Sequence, residues 1–288
     1  MTSTSWKTAG ADPEGWLSRA EEVIHLNPDG SAPQLLSVPQ GSLRVGVDLG
    51  TAYTVLVVLD EEGNPLAGEY QFAQVVRDGL VVDYFGAVAL LGELKQRIET
   101  RLGRQLTRAA SGFPPGVPRV EVRATANVVE AAGMQCPNLV DEPSAANHVL
   151  GIRDGVIVDV GGGTTGVAVI EDGKVVYTAD EATGGTHFTL VIAGATGLSF
   201  EQAEELKKTA SEQARLFPLV RPVMEKVGTI IERHIRGSKP QSITLVGGTT
   251  LFPGMAAVIE EVTGIPTRVP SRPMFITPLG IALADSGE

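Results

Sequence analysis

The chain has 288 residues, enough for one large domain or two mid-sized ones, with an apolar share of 43% and a charged share of 20% that suit a globular protein with a real core. A formal net charge of -11 lacks the basic footprint of nucleic-acid binding and excludes that partner. It leaves a nucleotide open, because backbone N–H groups hold phosphates without any net positive charge.

The single cysteine, Cys136, excludes an intrachain disulfide and an all-cysteine metal site and fits a reducing compartment. No run reaches the roughly 18 apolar residues of a membrane span. The N-terminus has no basic start leading into an apolar stretch, so a cytoplasmic protein without a membrane partner is expected.

Residues 1–40 read as an extension. Within it Pro13–Asn27 is helical in pattern, with Leu17, Ala20 and Ile24 on one face beside Trp16 and Val23. Pro28 to Gln40, with Pro33 and Pro39, reads as linker. The helix could pack on the body of the protein, as most such faces do, or address the chain elsewhere.

From Leu43 the texture changes. Leu43–Val47 and Val55–Leu59 are β-branched runs around Gly50 and Thr51, followed by a turn at Glu61-Glu62-Gly63-Asn64. Helices are expected over Gly86–Arg101 and Val120–Ala132, with Pro114, Pro115 and Pro118 breaking the stretch between them. Val156–Val160 and Gly166–Ile170 are strands closed by Glu171-Asp172-Gly173. Helices follow over Ser199–Leu216 and Leu219–Arg236, then a strand at Ser242–Val246 and helices at Met255–Thr263 and Pro278–Ala284.

One unit occurs twice. Val47-Asp48-Leu49-Gly50-Thr51 and Val158-Asp159-Val160-Gly161-Gly162 each end an apolar strand, lead into a second strand and meet a turn glycine, Gly63 or Gly173, at nearly the same remove. A glycine turn between strands exposes a row of backbone N–H groups that forms an anion cradle. An Asp at its lip repels a bare phosphate and becomes favourable when Mg²⁺ bridges acid and phosphate. Two such hairpins in register point to a two-sided phosphate clamp.

Other chemistry finds no support. There is no G-x-x-x-x-G-K-[ST] loop, no G-x-G-x-x-G opening a helix and no G-x-S-x-G elbow. His25, His148, His187 and His234 lack zinc spacing and read as isolated or internally satisfied side chains.

Gly46-Val47-Asp48-Leu49-Gly50-Thr51 resembles the first phosphate loop of the actin, sugar-kinase and heat-shock chaperone ATPases, and Asp159-Val160-Gly161-Gly162-Gly163-Thr164-Thr165 the second. Asp141-Glu142-Pro143-Ser144-Ala145-Ala146 resembles their first connecting motif, Leu245-Val246-Gly247-Gly248-Thr249-Thr250 their adenosine loop, and Pro278-Leu279-Gly280-Ile281-Ala282 their second connecting helix. Gly184-Gly185-Thr186-His187-Phe188 is similar to the chaperones' Gly-Gly turn. Within that superfamily the strings VRDGLVVDYFGAV (76–88), FPPG (113–116), DEATGGTHF (180–188) and PMFITPLGIA (273–282) resemble the ethanolamine-utilisation protein J family.

The resemblance implies an α/β fold of duplicated actin-like (ribonuclease-H-like) ATPase domains, mixed sheets flanked by helices, with an N-terminal helical extension. The expected division is 1–40 extension, 41–154 first subdomain completed by 272–288, and 155–271 second subdomain. ATP or ADP and Mg²⁺ are the implied ligands. Asp48 and Asp159 would hold the metal through water; Gly50, Thr51, Gly161, Gly162, Gly163 and Thr164 would cradle the phosphates; Glu142 would orient the attacking water. Gly247 and Gly248 would let the backbone pass close to adenosine, and Glu204 and Lys207 would frame ribose and base. By spacing alone Glu204 and Lys207 read instead as an exposed i, i+3 pair on a solvated helix face.

Two departures bear on turnover. Ala52 replaces the second threonine of the chaperone loop, and Lys95, on an expected surface helix, is the one lysine between Gly63 and Asp141. Hydrolysis is therefore expected to be slow at most. The implied role is that of a chaperone-like accessory protein of bacterial ethanolamine utilisation. It would protect or reactivate the cobalamin-dependent ethanolamine ammonia-lyase, or assist assembly of the microcompartment shell. A filament-forming actin-like ATPase and a small-molecule kinase are the alternative readings of the same motifs.

Overall fold

The computed structural model describes residues 13–24, 40–77 and 80–286. They fold as two compact units. The first comprises the described residues of Met1–Gly151 with those of Phe275–Glu288, and the second comprises Ile152–Met274.

In the first unit the β-branched runs pair as expected: β1 (Arg44–Leu49) lies antiparallel to β2 (Tyr53–Leu59), with Asp48 opposite Val55. The chain turns through Gly63, at φ 87°, into β3 (Pro65–Phe72). A short ribbon, β4 (Val76–Arg77) and β5 (Leu80–Val81), precedes α2 (Tyr84–Leu102). Asp83 starts that helix by accepting from the Gly86 N–H at 2.9 Å. Then come β6 (Ala110–Phe113), α3 (Arg119–Ala131), β7 (Leu139–Asp141) and α4 (Glu142–Leu150). The sheet order is β3-β2-β1-β6-β7, antiparallel on one side of β1 and parallel on the other. Leu90, Leu91, Leu94 and Ile98 of α2 bury their stripe in the same core as Val45, Val47, Leu56 and Val58.

The second unit repeats this plan with β8 (Gly155–Val160), β9 (Thr165–Glu171) and β10 (Lys174–Glu181), followed by α5 (Gly185–Thr196), α6 (Phe200–Lys208) and α7 (Ala210–His234). β11 (Ile243–Val246), α8 (Met255–Thr263) and β12 (Thr267–Arg268) complete a sheet of order β10-β9-β8-β11-β12. Asp159 again occupies the fifth position of a six-residue first strand, opposite Gly166.

The chain then returns to the first unit through α9 (Pro273–Ala284). A Cβ on Gly46 of β1 would lie 2.5 Å from the Ala282 nitrogen, and one on Gly280 would lie 1.8 Å from the Ala145 carbonyl oxygen of α4. Glycine is thus what lets α9 lie directly on β1 and α4. Asp285, fully buried, fastens this end: it accepts from the Val45 N–H at 3.1 Å and from Arg108 Nε at 3.0 Å.

The N-terminal helix α1 (Pro13–Ile24) is formed, and its apolar face is spent on the body of the protein. Trp16, Leu17, Ala20 and Ile24 are buried, Ile24 sits over Gly68 of β3, and Arg101 of α2 joins the Val23 carbonyl at 2.9 Å while pairing with the buried Glu69. The rest of the expected helix, from His25, and all of the expected linker but Gln40 fall outside the described residues. Trp16 Nε1 donates to the Gly63 carbonyl at 2.9 Å. Trp16→Phe keeps most of the apolar bulk and strands that acceptor, so it is expected to cost about 1–2 kcal/mol in denaturant unfolding, with an unchanged m-value.

Two expected boundaries are corrected. The break between the two long helices is at Thr209, not at Phe217: α7 carries Pro218 and Pro222 inside it. A mid-helix proline forfeits a hydrogen bond, but the buried face of Leu216, Val220, Val223, Met224, Val227 and Ile231 outweighs that loss. The C-terminal helix begins at Pro273 rather than Pro278. Proline has no N–H to leave unsatisfied in a first turn.

Candidate functional site

The first hairpin closes between β1 and β2, where the Gly50 N–H donates to the Tyr53 carbonyl at 3.0 Å. A Cβ on Gly50 would stand 2.8 Å from that same oxygen, so the turn tolerates no side chain. Asp48 and Thr51 flank it, both half-buried. Ser111 Oγ of β6 donates to the Val47 carbonyl at 3.1 Å and steadies the strand that carries Asp48. β1 runs parallel to β6 and β6 parallel to β7, so Asp48 and Glu142 stand at the carboxyl ends of parallel-running strands. That edge is where open α/β sheets gather ligands. Glu142 opens α4, whose N-cap Asp141 accepts from the Ser144 N–H at 3.0 Å.

The second hairpin is the more elaborate. The Gly161 N–H donates to the Thr164 carbonyl at 3.0 Å, and the Gly161 carbonyl accepts from the Gly185 N–H at 3.0 Å and from Thr249 Oγ1 at 2.8 Å. The Gly162 carbonyl accepts from the Thr186 N–H at 2.8 Å. The loop's carbonyls are thus turned toward the start of α5. The N–H groups of Gly162, Gly163 and Thr164, and that of Thr51 in the first hairpin, donate to no protein acceptor among the described residues. A half-buried row of open backbone donors is what an anion requires.

Gly247, at φ 90°, ends β11 directly beside Asp159: a Cβ there would meet Asp159 Oδ1 at 2.4 Å and the Val160 carbonyl at 2.5 Å. Gly248 faces Met274, whose Cγ a Cβ would approach to 3.6 Å, and opens a 3₁₀ turn, Gly248–Leu251.

Glu204 and Lys207 do not form a solvated face. Their side chains are 12% and 15% exposed and joined at 2.6 Å. Burial pushes the Glu204 carboxyl up, but Lys207, Thr189 and Lys208 more than offset this and hold it below the usual carboxylate range. Burial also lowers the Lys207 ammonium, against the pull of Glu204.

Sequence reasoning missed Thr189 and Thr249. The first lies one helical turn beyond Gly185 and the second inside the Gly-Gly-Thr-Thr string, so position relative to the glycines was the available signal. Lys95 is engaged with Glu99 at 2.8 Å. His187 is internally satisfied, accepting from the Gly184 N–H at 3.3 Å, and His234 bridges Tyr177 and Glu181. His25 is outside the described residues. Among the described residues no helix is long and apolar enough to cross a membrane.

Comparison with known proteins gives the family and the fold. The family model for the type IV pilus assembly protein PilM matches residues 95–277. The ethanolamine utilization protein EutJ of Escherichia coli (strain K12) is 40% identical over 275 residues, covering 94% of this chain and 95% of that protein. The chain belongs to the EutJ family and, through residues 95–277, to the PilM family. The crystal structure of EutJ from Carboxydothermus hydrogenoformans matches with a TM-score of 0.85 at 44% identity, over 94% of this chain and 98% of that one. MreB5 of Spiroplasma citri bound to AMPPNP matches with a TM-score of 0.69 at 18% identity, over 84% and 95% of the two chains. The fold is that of the actin-like ATPases.

Proposed function

We propose that this EutJ-family chain is an ATP-binding, chaperone-like accessory protein of bacterial ethanolamine utilisation, working in the cytoplasm on the ethanolamine ammonia-lyase or on microcompartment shell proteins. The observation that carries the nucleotide reading is the row of open N–H donors at Gly162, Gly163 and Thr164, with a second such donor at Thr51 in the equivalent hairpin. MreB5, of like fold, is described with AMPPNP and with ADP, which supports the same ligand class here.

Backbone donors would take the phosphates, and Gly247 and Gly248 would admit adenosine. Bound Mg²⁺ would neutralise phosphate charge. Asp48 and Asp159, each beside the glycine turn of its own hairpin, would by the resemblance hold such a metal through water. Glu142 would orient an attacking water. With Lys95 engaged by Glu99 and no hydroxyl at Ala52, turnover is expected to be slow at most. Nucleotide state would then act through shape rather than rapid hydrolysis.

Titration calorimetry with ATP and Mg²⁺ tests this. Binding is expected in the native chain, and Asp48→Asn and Asp159→Asn should each weaken it about tenfold or more while leaving melting nearly unchanged. A native chain that binds no ATP would overturn the nucleotide reading. Recovery of neither lyase nor shell proteins in an ATP-dependent pull-down from ethanolamine-grown cells would overturn the accessory role.

A further inference from the structure

The last two residues of α7 meet β10, the edge strand of the second sheet, and three side chains fall in line there. Tyr177 Oη lies 2.8 Å from His234 Nδ1, and His234 Nε2 lies 3.0 Å from Glu181 Oε1. Arg233 Nη2 donates to the same Glu181 oxygen. All four residues belong to the second unit.

The protons of this line can be placed. The hydrogen bond from His234, helped by the Arg233 guanidinium, holds the Glu181 carboxyl below the usual carboxylate range. An ionised carboxylate can only accept, so His234 Nε2 carries a proton. In the neutral ring Nδ1 then has the lone pair, and the Tyr177 hydroxyl donates to it. A hydroxyl held on a ring nitrogen, with a carboxylate fixing the far side of the ring, is the arrangement of nucleophile, base and orienting group.

The line is also open at the right end. Tyr177 is 42% exposed, whereas the His234 side chain is 16% exposed, so the phenol meets solvent and the base is sheltered behind it. Val176, next in the strand, is exposed and offers an apolar reagent a surface. Tyr84 is the comparison within the same chain. It is 38% exposed, but its hydroxyl donates to the Asn127 carbonyl at 3.1 Å, an acceptor that is no base.

We propose that Tyr177 is a covalent modification site, a nucleophile that takes an acyl group from an activated ester, with His234 as its general base and Glu181 as the positioning residue behind the base. Tyr177 Oη attacks the acyl carbonyl carbon and forms a new O–C bond. The bond from that carbon to the leaving alkoxide or thiolate breaks, and the phenolic proton passes to His234 Nδ1. Glu181 stabilises the imidazolium that results. Its negative charge, with Arg233 already engaged on it, favours a neutral acyl group over an anionic phosphoryl donor. The assignment does not depend on a bound nucleotide.

The test is reaction of the full chain with p-nitrophenyl acetate near neutral pH. Release of p-nitrophenolate gives the rate, and peptide mass spectrometry gives the acetyl on each tyrosine. Tyr177 is expected to be acetylated about a hundredfold faster than Tyr84. Tyr177→Phe should abolish the fast release. His234→Gln keeps a donor and an acceptor but no base, and should bring Tyr177 down to the rate of Tyr84. Glu181→Gln should slow Tyr177 at least tenfold, and nitrogen-15 spectra should show His234 losing its Nε2–H tautomer in that variant. Acetylation of Tyr84 at its native rate, with an unchanged circular dichroism spectrum, verifies that each variant is folded.

Equal rates at Tyr177 and Tyr84 in the native chain would overturn the proposal without any variant. So would a native rate at Tyr177 in folded His234→Gln, since the three side chains would then do no more than fasten α7 to β10. A native rate and tautomer in Glu181→Gln would overturn the part given to Glu181.

Discussion

Gly184→Ala is expected to weaken ATP binding by tenfold to a hundredfold while the chain stays folded. Gly184 has φ -161°, an extended conformation open to any residue, so backbone strain is not the reason. Contact is. A Cβ would stand 2.6 Å from the Gly161 carbonyl oxygen, 2.9 Å from that of Gly162 and 2.9 Å from the Gly163 carbonyl carbon. All three are backbone atoms of the second hairpin and cannot swing aside. The loop must move, and with it the donors at Gly162, Gly163 and Thr164. Losing one charge-assisted hydrogen bond costs about 1.5–3 kcal/mol, which sets the expected range. Calorimetry reads the affinity and circular dichroism the fold. Native affinity in a folded variant would show that the loop's seat on α5 does not govern binding.

Gly280→Ala should instead strike stability. Its Cβ would lie 1.8 Å from the Ala145 carbonyl oxygen and 2.4 Å from the Ala145 carbonyl carbon, where α9 crosses α4. Overpacking of this kind between two helix backbones is expected to cost about 3 kcal/mol or more. For a chain of this size that lowers the melting temperature by roughly 6–12 °C. Gly92→Ala in α2 is the control. A Cβ there meets nothing within 4 Å, so alanine should leave stability unchanged or raise it by up to about 1 kcal/mol. Equal melting of the Gly280 and Gly92 variants would show that α9 can shift off α4 at little cost.

The hairpins were legible in the sequence because their signal is local: a β-branched run, an Asp, a glycine turn and a second run. Both strand pairs appear with their Asp in register. β3, β6, β7 and β10 were not legible, since their identity comes from pairing rather than pattern. β6 is the four residues Ala-Ser-Gly-Phe, a strand because β1 and β7 flank it. α7 ran past its prolines because burial of one long face decides over local propensity. At the site, motif spacing could mark Glu204 and Lys207 but not their burial, which depends on Thr189 and Gly185 arriving from a different helix. Their charged, i, i+3 spacing would have suited open water equally well.

The bond between Asp285 and Val45 has a consequence for how the protein is born. Its partners are 240 residues apart in the chain. At about 5–20 residues per second of translation, β1 leaves the ribosome roughly 10–50 s before the carboxylate that fastens it is made. The second unit is contiguous from Ile152 to Met274 and needs nothing synthesised later, whereas the first waits for α9. The half begun first is therefore the half finished last, and through that interval the face of β1 at Gly46 is open to solvent and to any holding factor near the ribosome.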